Sequence, residues 1–222
     1  MTRRGTLWLA LAVTTMLAAC GNPDKIVVDK YFAAVNQEDS ATLSSFATVA
    51  FDKKVDDWKI IKTLSTTESP APLPDLLKQQ KEAEEAVTQN KRAITNYNLD
   101  HTLEVDQVRE ARRTGAKIPS RLQAVADTWD AFIEKDRELK REAAEAKDRA
   151  DKERQTLILS VGELEGLESI PGTMLTRQIE LQLTVNGEKQ GTIMTLKQYK
   201  MEPPSGGRIL SRWVVTGLDP IP

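Results

Sequence analysis

The sequence predicts an α+β protein, in which a long antiparallel helical hairpin is inserted into a body of N-terminal helices and an antiparallel sheet. Three observations carry that prediction. The 80 residues from Asp75 to Arg154 hold 18 acidic and 17 basic side chains, the composition of long solvated helices. Arg177 to Val185 alternates polar and apolar residues and runs directly into Asn186-Gly187, whose residues tolerate the positive φ of a two-residue hairpin turn. Just ahead of the charged stretch, Ser69-Pro70-Ala71-Pro72-Leu73-Pro74 marks a boundary, because prolines this dense continue neither a ladder nor a helix.

In chain order, Val27, Val28, Tyr31, Phe32 and Val35 recur at helical spacing, with Asp24 or Asn22 able to cap. Asn36 to Asp39 interrupts, and Ala41 to Phe46 predicts a short second helix. Val55 to Leu64 reads as a strand with Trp58, Ile60 and Lys62 on one face. In the charged stretch, Ile118, Leu122, Val125, Trp129, Phe132, Asp136, Leu139, Ala143, Ala146 and Ala150 alternate steps of four and three, a heptad seam. A weaker matching stripe runs Leu76, Gln80, Ala83, Val87, Asn90, Ile94, Tyr97, His101, Val105 and Val108. Gly115 and Pro119 supply the reversal of an antiparallel hairpin, whose stripes are expected to pack on each other, on another chain or on the body. After Thr156 the period becomes two. Leu157 to Val161 reads as a strand, Ile179, Leu181, Leu183 and Val185 share one face, Lys189 to Met201 returns with a bulge at Gly191, and Ile209 to Thr216 forms a last strand.

The composition excludes several classes. A chain of 222 residues with 40% hydrophobic content and one cysteine is neither a disordered tail nor a disulfide scaffold. A net charge of −2 argues against broad nucleic-acid binding, which needs a basic face to displace phosphate counterions.

The start of the chain carries an address. Arg3 and Arg4 precede an apolar run from Leu7 that is shorter than the about 20 residues a spanning helix needs, the pattern of a secretion signal. Leu17-Ala18-Ala19-Cys20 at its end resembles the lipobox of bacterial lipoproteins. That resemblance implies removal of residues 1–19 and a lipid-bearing Cys20 with diacylglycerol and palmitate-type acyl chains. It also implies a place at the cell membrane or outer membrane, facing the periplasm or exterior. Two or more acyl chains anchor stably, whereas one is marginal.

The element order, with Val28-Asp29-Lys30-Tyr31-Phe32-Ala33-Ala34-Val35 in the first helix and Arg212-Trp213-Val214-Val215 at the end, is similar to the NTF2-like superfamily. The resemblance implies a curved antiparallel sheet wrapping the N-terminal helices. The hairpin stands where that family has a shorter connecting helix. The expected organisation is a signal peptide over 1–19, a body over 20–74 and 156–222, and a coiled-coil hairpin over 75–155.

Motifs for catalysis are missing: there is no phosphate-cradling Gly-rich loop, no nucleophile elbow, and no second His or Cys for a transition metal. No enzyme activity, cofactor or metal is expected. Asp56-Asp57 point to opposite faces if in a strand, and Gly162 to Glu168 lacks the alternation of a calcium loop. Two functional expectations follow. One is a lipid-anchored interaction or scaffold module whose hairpin meets an envelope protein or a second copy. The other is a small-ligand binder with Trp58, Tyr199 and Trp213 lining a cone. On the seam, Asn90, His101 and Asp136 read as polar register markers, with His101 alternatively a pH-sensitive joint.

Overall fold

The computed structural model describes residues 23–203, 206–207, 209 and 211–221. The lipobox, with Cys20, lies outside the described residues. Within them the chain is α+β, with five α-helices and a four-stranded antiparallel sheet in the order β1-β2-β3-β4.

Helix α1 (Pro23–Asn36) turns Val28, Tyr31, Phe32 and Val35 inward, and α2 (Ser40–Ser44) starts at Asp39, whose carboxylate accepts from the Thr42 amide at 2.9 Å. Strands β1 (Asp57–Pro70), β2 (Gly172–Val185), β3 (Glu188–Met201) and β4 (Val214–Pro220) form a meander. Asn186 (φ 52°) and Gly187 (φ 80°) make the turn between β2 and β3. The two strands pair without a register shift, so alternate side chains take opposite faces. On one face Ile179, Leu181, Leu183, Met194 and Leu196 bury against α1; on the other Tyr199 and Met201 join Leu73, Leu157 and Leu167.

Between β1 and β2 lie α3 (Leu73–Asp100), α4 (Thr102–Thr114) and α5 (Gln123–Val161). Prolines 72 and 74 sit at the start of α3, where a missing amide hydrogen costs nothing, and Gly115 (φ 70°) ends α4. Leu73 clusters with Leu157, the Tyr97 ring lies 5.3 Å from Phe132, and Val108 packs with Leu122 and Ala126. These contacts run α3 and α4 back along α5. Every seam position named above, from Leu76 to Val108 and from Ile118 to Ala150, is buried or half-buried.

Four expectations are corrected. Leu157 to Val161 is not a strand; it is the end of α5, which continues until Gly162 (φ 87°) because Leu157 and Ser160 face the sheet as one helical stripe. The expected single arm before Gly115 is interrupted at His101, whose backbone (φ −124°, ψ 32°) leaves the helical region for one residue. The last strand begins at Val214 rather than Ile209. Gly191 is not a bulge: it pairs in register with Gln182, and its bare Cα leaves room for Ile221, which a Cβ would approach at 3.1 Å. The register shifts fall instead in β1, between Ile60 and Lys62 and between Thr63 and Ser65, and between β3 and β4 after Thr195.

Candidate functional site

The three aromatic residues expected to line a cone stand apart. Trp58 packs on the α1-side core, and its indole nitrogen donates to Asp29 at 2.9 Å. Hydrogen bonds to the Asp29 carboxylate, from Lys25 first and Trp58 second, hold its pKa below the ordinary value. Trp213 touches the same core at its margin, under the Arg177 guanidinium at 4.8 Å, and Arg177 in turn pairs with the buried Asp24. Tyr199 belongs to the opposite face of the sheet. The space beneath α1 is filled by Tyr31, Phe32 and Phe46, packed edge to face with centroids 5.2 and 6.5 Å from Tyr31.

A cleft of about 1110 Å³ opens elsewhere, beside β4, between the 48–52 loop and the last turns of α5. None of Trp58, Tyr199 and Trp213 is among its lining residues. Its charged floor is Glu153, which is 7% exposed. One carboxylate oxygen accepts from Lys197 at 3.0 Å and the other from the Tyr199 hydroxyl. Burial, and then the Glu153 charge, push the Tyr199 phenol far above its ordinary pKa, so this tyrosine stays a neutral donor. Arg149 and Lys152 on α5, the carboxylates of Asp52 and Asp219 and the hydroxyls of Thr195 and Thr216 stand in its walls, so the lining carries both signs of charge. The buried carboxylate is thus matched by one cation, Lys197, and one neutral hydroxyl donor, Tyr199. The arrangement leaves neither a free base nor an unpaired nucleophile at the floor. The seam's alternating steps, carried past Ala150, fall on Glu153, Leu157 and Ser160, all buried; periodicity therefore marks Glu153, and what hid it was its setting among acidic and basic residues that form solvated pairs.

The seam residues take three different positions. Asn90 is buried at 6% exposure, and its amide nitrogen has no hydrogen-bond partner among the described residues. His101 marks the break between α3 and α4, with its ring 4.5 Å from Tyr97. Asp136 is half-buried and pairs with Lys140 at 2.6 Å. On the side of the arm away from the seam, Leu99 and Leu103 are the most exposed large apolar side chains described, at 69% and 75%.

Among the described residues no His, Cys, Asp and Glu group is arranged to hold a metal ion, and no helix is long and apolar enough to cross a membrane. No family model, curated protein or solved structure matches the chain.

Proposed function

We propose that the chain is a lipoprotein of the bacterial cell envelope, held to a membrane by acyl chains on Cys20, and that it works as a non-catalytic interaction or scaffold module. In this reading an NTF2-like body carries a helical hairpin, and the hairpin is the working part. The observation that carries it is the outward display of Leu99 and Leu103 midway along the arm, where an isolated helix pair gains nothing by exposing them. Two further features support it. The arm's seam is closed against α5, so its outer side is free for another molecule. The face of the sheet beneath α1 is filled with side chains, which favours a structural role for the body.

The anchor and the arm are tested separately. Mass spectrometry of the mature chain is expected to find acylated Cys20 at the N-terminus, and Cys20→Ser to leave the protein unprocessed or released from washed membranes. A Cys20→Ser chain that matures identically and stays with the membranes would refute the anchor. Replacing residues 75–155 by a short Gly/Ser linker is expected to abolish crosslinks to neighbours in the envelope; unchanged crosslinks would refute the arm.

A second reading, a small-ligand-binding lipoprotein, is favoured by the cleft beside β4, whose lining carries Arg149, Lys152 and Lys197 together with Asp52, Glu153 and Asp219. Native mass spectrometry of the protein purified from its envelope, finding no retained ligand, would remove it.

A further inference from the structure

The outer side of the α3–α4 arm has a pattern of its own. Hydrogen bonds from the His101 amide to Tyr97 (3.0 Å) and from the Val105 amide to His101 (2.8 Å) carry the helical path through the break. Counting about 100° per residue along that path, Glu85, Arg92, Leu99, Leu103 and Glu110 fall within about 40° of one another, opposite the seam. All five are exposed.

We propose that this face pairs with the same face of a second copy of the chain, antiparallel, about a two-fold axis at His101. This rests on the reading of the arm as the interacting part. The charges select the partner and the direction. Leu99 and Leu103 lie two residues either side of His101, Asn96 and Asp106 five, and Arg92 and Glu110 nine. An antiparallel copy therefore sets Leu99 on Leu103, the Asn96 amide beside the Asp106 carboxylate, and Arg92 beside Glu110, each twice. A parallel copy in the same register would set Arg92 on Arg92 and Glu110 on Glu110, which like-charge repulsion disfavours. A face that contributes two leucines per copy is small, so the pairing is weak between free molecules and is favoured where anchoring to one surface raises the effective concentration.

The test uses the full-length acylated chain in phosphatidylcholine vesicles. Cys20 is the only native cysteine and, in the acylated chain, its sulfur is capped as a thioether, so introduced thiols report alone. Arg92→Cys and Glu110→Cys are made in separate, differently tagged chains and mixed under mild oxidation. The mixed disulfide is expected at least tenfold above the Arg92→Cys or Glu110→Cys self-product, because like positions would lie 18 residues apart, about 27 Å. Leu99→Gln with Leu103→Gln, introduced into both tagged chains, is expected to remove the mixed product with helix content by circular dichroism unchanged. Without the cysteines, Arg92→Glu is expected to weaken association, and Arg92→Glu with Glu110→Arg to restore it.

Equal yields from all combinations, no mixed product, or a mixed product indifferent to the leucines would overturn the pairing. So would capture of a different envelope protein at Leu99 and Leu103 without the mixed disulfide, an outcome that leaves the arm's interaction role standing. If Cys20 proves unacylated, the anchor reading fails by itself, and the same disulfide is read in concentrated solution with Cys20→Ser in both chains, where its absence overturns the pairing.

Discussion

Around α1, apolar side chains are shut away from water: Val28, Tyr31, Phe32, Ile179, Leu181 and Leu183 are all 0% exposed. Along the arm, between Leu73 and Val105, the one fully buried side chain is Asn90. The difference is geometric. A helix on a sheet is covered from several directions, whereas each arm has a single neighbour and closes only a narrow stripe. The arm is therefore fastened at its ends, by Leu73 with Leu157 at the root and by Val108 with Leu122 and Ala126 at the tip. Its middle holds the half-buried seam, the unpaired Asn90 amide and the break at His101.

That contrast can be broken most forcefully in the body. Phe32→Ala should cost about 3–5 kcal/mol, since the α1-side core has no room to collapse around the void, and urea unfolding should register it as a fall in midpoint. A loss below about 1 kcal/mol would mean that the core is looser than its burial implies. Next comes the root, where arm and sheet share Glu153. Glu153→Ala should cost about 1–3 kcal/mol by stranding the Tyr199 hydroxyl and the Lys197 ammonium. The same measurement shows whether arm and body unfold together, because a change at the root should move a single shared transition.

In the middle of the arm the sign reverses. Asn90→Leu should stabilise by about 1 kcal/mol, by removing an unsatisfied amide and adding apolar area to the seam, with a higher melting temperature as the readout. An unchanged or lower melting temperature would show that Asn90 contributes more than its lack of a partner suggests. The smallest effect at neutral pH is the titration of buried phenols. Burial pushes Tyr31 up to about 12 from 10.0, and Tyr199 also upward. The folded state thus keeps protons that the unfolded chain releases above pH 10, so the stabilisation is complete below that pH and is lost as pH rises through the folded values. Alkaline unfolding followed by tyrosinate absorbance should begin above pH 10, and Tyr31→Phe should blunt it.

Much of the fold was legible because its signals are periodic. The β2 alternation and the two seam stripes correspond to buried faces residue by residue, and Asn186-Gly187 makes the exposed turn its residues demand. Leu157-Ile158-Leu159 was misread because a short apolar run suits a buried strand and a helix covered on more than one side equally well. The second half of β1, from Ser65 to Pro70, has no apolar signal because it is an exposed edge strand. The break at His101 leaves only a slight mark in the stripe, two successive steps of four from Tyr97 to His101 and from His101 to Val105 where fours and threes otherwise alternate. Of the candidate site, Trp58, Tyr199 and Trp213 are expected from the sequence to line one cone, but which face of the sheet each serves depends on register across strands far apart in sequence. The outward leucines were hidden for the opposite reason: attention to the seam discounts whatever lies off it.

The attachment of α5 has a mechanical consequence. The Ser160 hydroxyl donates to the Arg212 carbonyl at 2.8 Å and accepts from the Tyr199 amide at 3.2 Å, while the Arg212 amide donates to the Ser160 carbonyl at 3.0 Å. The helix is thus stitched into two stretches of the sheet region with no flexible joint between. A sideways load at the Gly115 tip acts through a lever of about 65 Å and arrives at Ser160 as torque on β3.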